Sequence, residues 1–177
     1  MLTRLHSIDA YLRIGLLCLI AGSSVCLTSC QSPGTDAKAT LPSTAPLPVG
    51  TLPEDGSQQL LEHINQSRRQ HKLPVLVVDP RLTRAALEHS ESMLRHQYFD
   101  HRGHDGSRFQ QRLLRNGYPR SHSAENIAMV HDPKLVFDMW FNSRGHYKNM
   151  MNPKYSRVGI GRAGNYWTAN FAAPDGT

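Results

Sequence analysis

Apolar positions between residues 57 and 172 fall into alternating helical and extended patterns. From Ser57 to His71, Leu60, Leu61 and Ile64 share one helical face, with Ser57 placed to cap it and Lys72-Leu73-Pro74 to end it. Val75 to Val78 is a short apolar extended piece. Asp79-Pro80 then opens a second helix, an N-cap followed by proline in the first turn. Its stripe is Leu82, Ala85, Ala86, His89 and Met93. Residues 98 to 106 form a loop dense in Asp, His and Gly. Ser107 is placed to start a third helix running to about Asn116, with Phe109, Leu113 and Leu114 inward. A strand is expected from near Glu125. Asp132-Pro133 repeats the capped helix start, and Leu135, Val136, Met139 and Trp140 follow at helical spacing. The pattern breaks around His146. Residues 157 to 162 and 166 to 172 then read as two strands joined by Ala163-Gly164-Asn165. Helices first and a hairpin last imply an α+β domain with an antiparallel sheet covered by helices.

The segment before this domain has a different composition. Arg4 and Arg13 flank the start of an apolar run, Ile14 to Leu27, too short for a membrane span and suited to a secretory signal. It ends in Leu27-Thr28-Ser29-Cys30, which resembles the lipobox of bacterial lipoproteins. The resemblance implies cleavage before Cys30, lipid (palmitate among it) on that residue, and an anchor in the cell envelope. Gln31 rather than Asp follows, so the expected destination is the outer membrane if the organism has one. Residues 31 to 56 hold five of the eleven prolines and read as a tether reaching roughly 30 to 80 Å. The expected organisation is thus 1–29 signal peptide, 30–56 lipidated cysteine and tether, 57–177 domain.

All three cysteines, Cys18, Cys26 and Cys30, lie at or before that cleavage point, which excludes a disulfide framework and a cysteine metal site from the domain. Losing Arg4, Arg13 and Asp9 with the signal lowers the formal net charge from +6 to +5. A basic domain outside the cytoplasm suits anionic envelope polymers, lipid headgroups or acidic proteins. No aromatic-basic motif or zinc-finger spacing points to nucleic acid.

Three short pieces carry the candidate chemistry: Tyr98-Phe99-Asp100-His101 with Asp105-Gly106, Ala124-Glu125-Asn126-Ile127, and Trp140 to Pro153 with His146 and Asn149. Each sets a histidine or carboxylate at an element boundary. With Leu61 to Arg68, the second helix, "VGIG" and "YWTANF", they resemble, in order, the CAP superfamily of cysteine-rich secretory, venom allergen and pathogenesis-related proteins, and within it the bacterial SCP-like domains. The resemblance runs from about Leu60 to Phe171. It implies an α-β-α sandwich, a three-stranded antiparallel sheet between helical layers, with a cleft of two histidines and two acids. The histidines carry over to His101 and His146 and the first acid to Glu125. The second acid's place, three residues after Trp140, is Ser143, and Ala124 replaces the glycine usual before the glutamate.

Two imidazoles and a carboxylate suffice for an open Zn²⁺ site or another divalent metal site, with water as the remaining ligand, although no HExxH-type motif is present. The alternative is that all three make structural hydrogen bonds. His63, His71, His89 and His96 are read as helix surface or edge residues, His104 as a loop residue, and Trp140 and Met150-Met151 as packing. Two functions compete. One is a binding or interaction module for a lipid, a peptidoglycan or other wall component, or an envelope protein. The other is a hydrolase, metal-assisted or protease-like, in which His101, Glu125 and His146 activate water. Ser143 in place of an acid, and the absence of a Gly-x-Ser-x-Gly elbow, weigh against the second.

Overall fold

The computed structural model describes residues 52–175. The expected signal, Cys30 and most of the tether lie outside them. Five helices and four strands follow in the order α1 (Ser57–Gln70), β1 (Val77–Val78), α2 (Pro80–His96), α3 (Phe109–Arg115), β2 (Ser123–Met129), α4 (Pro133–Phe141), α5 (Arg144–Met150), β3 (Arg157–Ala163) and β4 (Tyr166–Ala172).

The sheet order is β1-β3-β4-β2. β2, β4 and β3 are antiparallel neighbours, with Glu125 opposite Asn170 and Gly159 opposite the same residue. The sheet therefore has four strands rather than three, because the short piece after α1 adds in parallel to β3, Val77 opposite Arg157. Helices cover both faces. On one, α2 lies so close to β3 that a Cβ at Gly159 would overlap the Leu82–Thr83 backbone and one at Gly161 the Ala86–Leu87 backbone. On the other, α1, α4 and α5 enclose Leu60, Ile64, Trp140, Met150, Ile160 and Trp167, all fully buried. Leu52, assigned from the sequence to the tether, is also buried in this core.

Local signals mostly decide where helices begin. Asp79 accepts from Arg81 N, and Asp132 from Lys134 N and Leu135 N, with proline in the first turn each time. Ser57 does not cap α1. Gly56, at φ 96°, precedes the helix, Asp55 Oδ1 takes Ser57 N at 3.0 Å, and the Ser57 hydroxyl is buried. α3 begins at Phe109, two residues beyond Ser107, and Leu114 is exposed rather than inward. β2 starts two residues before Glu125. Leu135 and Met139 are about half exposed, so only Val136 and Trp140 of the α4 stripe are buried.

Two buried polar residues fasten the α1 layer. Asn65 donates to Leu76 O at 3.0 Å and accepts from Leu76 N at 2.8 Å. Arg68 is fully buried and, among the described residues, has no carboxylate partner; its guanidinium donates to Pro74 O, Met150 O, Asn152 O and Tyr155 O. Burial pulls its pKa below the usual guanidinium value. Among the described residues no helix is long and apolar enough to cross a membrane.

Candidate functional site

The site is built around β2, the outer strand of the sheet beyond β4. Side chains alternate across a strand, so Glu125 points to the α2 face and Asn126 to the α4–α5 face. Each organises one histidine.

On the α2 face Glu125 is almost wholly buried. Its Oε1 lies 3.0 Å from His101 Nδ1 and its Oε2 accepts from Arg112 Nη2 at 2.8 Å. The same Arg112 nitrogen donates to His101 O at 3.0 Å, and Nη1 donates to Ser107 O at 3.1 Å. Asn170, opposite Glu125, adds a 3.3 Å donor to Oε2 when its amide is turned to satisfy both ends. A buried carboxylate needs such partners to stay ionised. The pair to Glu125 holds the His101 pKa above its usual value, against partial burial, while the other ring edge stays exposed.

On the opposite face the second histidine is held by neutral groups. His146 does not sit at a break in the backbone: it lies on α5, a short helix starting after Ser143. Asn126 Nδ2 donates to His146 O at 3.2 Å, and Asn149 Nδ2 donates to Asn126 Oδ1 at 2.8 Å. Asn149 also reaches Glu125 O at 3.5 Å, and Trp140 Nε1 donates to Ile127 O at 3.0 Å. Burial, and then the charge on His101, push the His146 pKa down. The structure thus brings His101 and Glu125 into direct contact, and places His146 within the reach of His101's field. Ser143 is half-buried and its hydroxyl makes no hydrogen bond to His146.

Three functional neighbours were not picked out from sequence. Arg112 and Asn126 are two. The third is His89, which lies on the apolar stripe of α2 but is read as a helix surface or edge residue; it is 1% exposed. His89 Nε2 lies 3.0 Å from Asp100 O, which steadies the segment carrying His101, and burial lowers its pKa. A signal for Arg112 existed: it falls between Phe109 and Leu113 on the inward side of α3, where a cation needs an acid. His104 is exposed as expected and stacks on His96, centroids 3.8 Å apart.

As a donor set, Glu125 has both oxygens engaged and its side chain is 1% exposed. Among the described residues, no three His, Cys, Asp or Glu side chains gather to hold an ion. The free histidine edges are what the site offers to an ion or ligand, with Glu125 behind His101. A carboxylate in that position orients an imidazole and raises its basicity.

A sequence model described as the cysteine-rich secretory protein family, CAP, matches residues 61–171. The chain belongs to that family. It is 31% identical over 148 residues to the uncharacterized protein YkwD of Bacillus subtilis, covering 81% of this chain and 56% of the relative. It is 32% identical over 115 residues to the uncharacterized membrane protein YlbC of the same organism, covering 64% and 33%. It therefore spans about half of one relative and a third of the other. A solved extracellular SCP-domain protein of Bacillus anthracis superposes with TM-score 0.64 at 30% identity, covering 71% of this chain and 45% of that one. An outer surface protein of Borrelia burgdorferi superposes with TM-score 0.62 at 19% identity, covering 73% and 100%, a likeness of fold alone.

Proposed function

We propose that the chain is an envelope-anchored binding module, held to a membrane through lipid on Cys30, that uses the His101–Glu125–His146 cleft to hold a lipid, wall component or protein partner. One observation carries this reading: both oxygens of Glu125 are committed, to Arg112 and to His101. A carboxylate so engaged fixes an imidazole in place, and with its side chain 1% exposed Glu125 is closed off from the water it would have to deprotonate. Ser143 makes no hydrogen bond to His146, so these two side chains do not form a base-activated nucleophile. The extracellular name of the Bacillus anthracis structural relative supports placement outside the cytoplasm. A divalent ion such as Zn²⁺ would be held by the two imidazoles and by water, with Glu125 orienting His101 from behind.

The test is mass spectrometry of what co-purifies with the full chain extracted from its native envelope. A lipid, wall fragment or protein retained by the wild type and lost with His101→Ala and His146→Ala is expected. Turnover of peptide or ester substrates that disappears in the same variants would favour the hydrolase instead. For the ion, calorimetric Zn²⁺ affinity should fall in both variants and at acid pH, where the imidazoles protonate.

A further inference from the structure

Two hollows meet at the start of α3. One, of about 270 Å³, is lined by Asp100, His101, Arg102, Arg108, Phe109 and Gln110. The other, of about 430 Å³, shares Arg108 and Gln110 and runs on past Leu113, Leu114, Pro119 and Arg120 to Ser123. Joined at Arg108 and Gln110, they are treated as one groove from His101 to the first residue of β2. His146 lines neither.

Along this groove the arginines have no carboxylate partners among the described residues. Arg102 donates Nε to Gly106 O, and neither Arg108 nor Arg120 is paired with an acid. Asp100 is the one carboxylate among the described lining residues, and its Oδ1 accepts from Arg102 N at 2.7 Å. Leu114 gives the floor an exposed apolar strip.

At its far end the groove reaches an open sheet edge. Ala173 N donates to His122 O, and Val130 N to Asn165 O, so the even-numbered residues of β2 bond to β4. The odd-numbered ones face outward. Trp140 and Asn149 cover the outward carbonyls of Ile127 and Glu125. Among the described residues no group takes the outward N–H and C=O of Ser123. An unpaired edge N–H and C=O of this kind, on a half-buried residue, is a template for an added strand.

We propose that an acidic, extended peptide docks in this groove, pairing as a strand with Ser123 and setting its carboxylates on Arg102, Arg108 and Arg120. The inference deepens the binding reading by naming a partner class, and rests on it only in treating the domain as a module that holds a ligand. The edge supplies main-chain hydrogen bonds, the arginines select negative charge, and Leu114 with Pro119 receives an apolar side chain between acids.

The experiment is fluorescence polarisation with the full chain and a short labelled peptide alternating Glu and Val. Saturable binding is expected, weakened at least about tenfold, ~1.4 kcal/mol, by Arg108→Glu with Arg120→Glu. The same peptide N-methylated at alternate residues should lose a comparable factor, because it cannot pair with an edge; this arm needs no protein variant. Ser123→Pro, which removes the outward N–H, should weaken binding in the same direction, while Lys154→Ala, an exposed lysine that lines neither hollow, leaves it unchanged. Equal binding of the N-methylated peptide, indifference to charge reversal, tighter binding of polyphosphate or anionic vesicles, or no binding at all would each overturn the proposal. A co-purified ligand lost with His146→Ala, alongside a peptide that fails to bind, would remove the groove and leave the cleft reading standing.

Discussion

The two walls of the site solve one task with opposite chemistry. His101 is held through a buried ion pair, Glu125 with Arg112, on the α2 face of the sheet. On the other, Asn126 donates to the His146 carbonyl and is itself held by Asn149, while the Trp140 indole donates to Ile127 O. The first wall gives its imidazole a charge partner and raises its affinity for a proton; the second gives its imidazole none and lowers it. Two chemically identical side chains thereby become unlike neighbours, one inclined to be cationic and one to offer a lone pair.

The largest expected contrast comes from cutting each wall at its support. Arg112→Ala leaves Glu125 buried without its cation and should cost about 3–5 kcal/mol in denaturant unfolding at pH 7. Replacing both by apolar residues of similar volume should cost much less than Arg112→Ala alone; an equal cost would mean that the ion pair is not what the wall depends on. Asn126→Ala, on the neutral wall, removes hydrogen bonds but strands no charge, so about 1–3 kcal/mol is expected, with little dependence on pH.

Titration sharpens the comparison further. By NMR, His101 should titrate above the ordinary value of 6.5 and His146 below it. The linkage follows with opposite signs. The His101 contribution to stability is complete below 6.5 and is lost as pH rises through the raised folded value. The contributions of neutral His146 and His89 are complete above 6.5 and are lost as pH falls through their lowered values. Reversal of the two site histidines in order would mean that their surroundings do not set their charge.

The smallest effect on stability, within about ±0.5 kcal/mol, is expected for Ser143→Glu, which places an acid where the family pattern has one. Its readout is the His146 titration, which should move upward, and Zn²⁺ affinity, which should tighten. No movement in either would show that position 143 does not face the imidazole.

Much of this was legible in the sequence because the signals are local. Asp-Pro at 79–80 and 132–133 marks helix starts by capping chemistry that needs no tertiary partner. Ala163-Gly164-Asn165 marks the hairpin, with Gly164 at φ 56°. The order of the histidine and glutamate segments identified the family and placed His101, Glu125 and His146 on adjoining elements. What was not legible depends on distant partners. β1 is two residues long and exists only because β3 runs alongside it. His89 looked like a helix-edge residue until the 100–102 segment folded over it. Gly159 and Gly161 read as strand residues, but their need to be glycine is set by the α2 backbone packed against them.

The alternation of β2 also has an evolutionary consequence. The two halves of the site hang from neighbouring residues of a single strand, so a one-residue insertion or deletion ahead of Glu125 would exchange their sides. The acid would then enter the apolar layer and the amide would face Arg112. Length changes in this lineage should therefore accumulate in the connecting loops, while drift within β2 is confined to substitution.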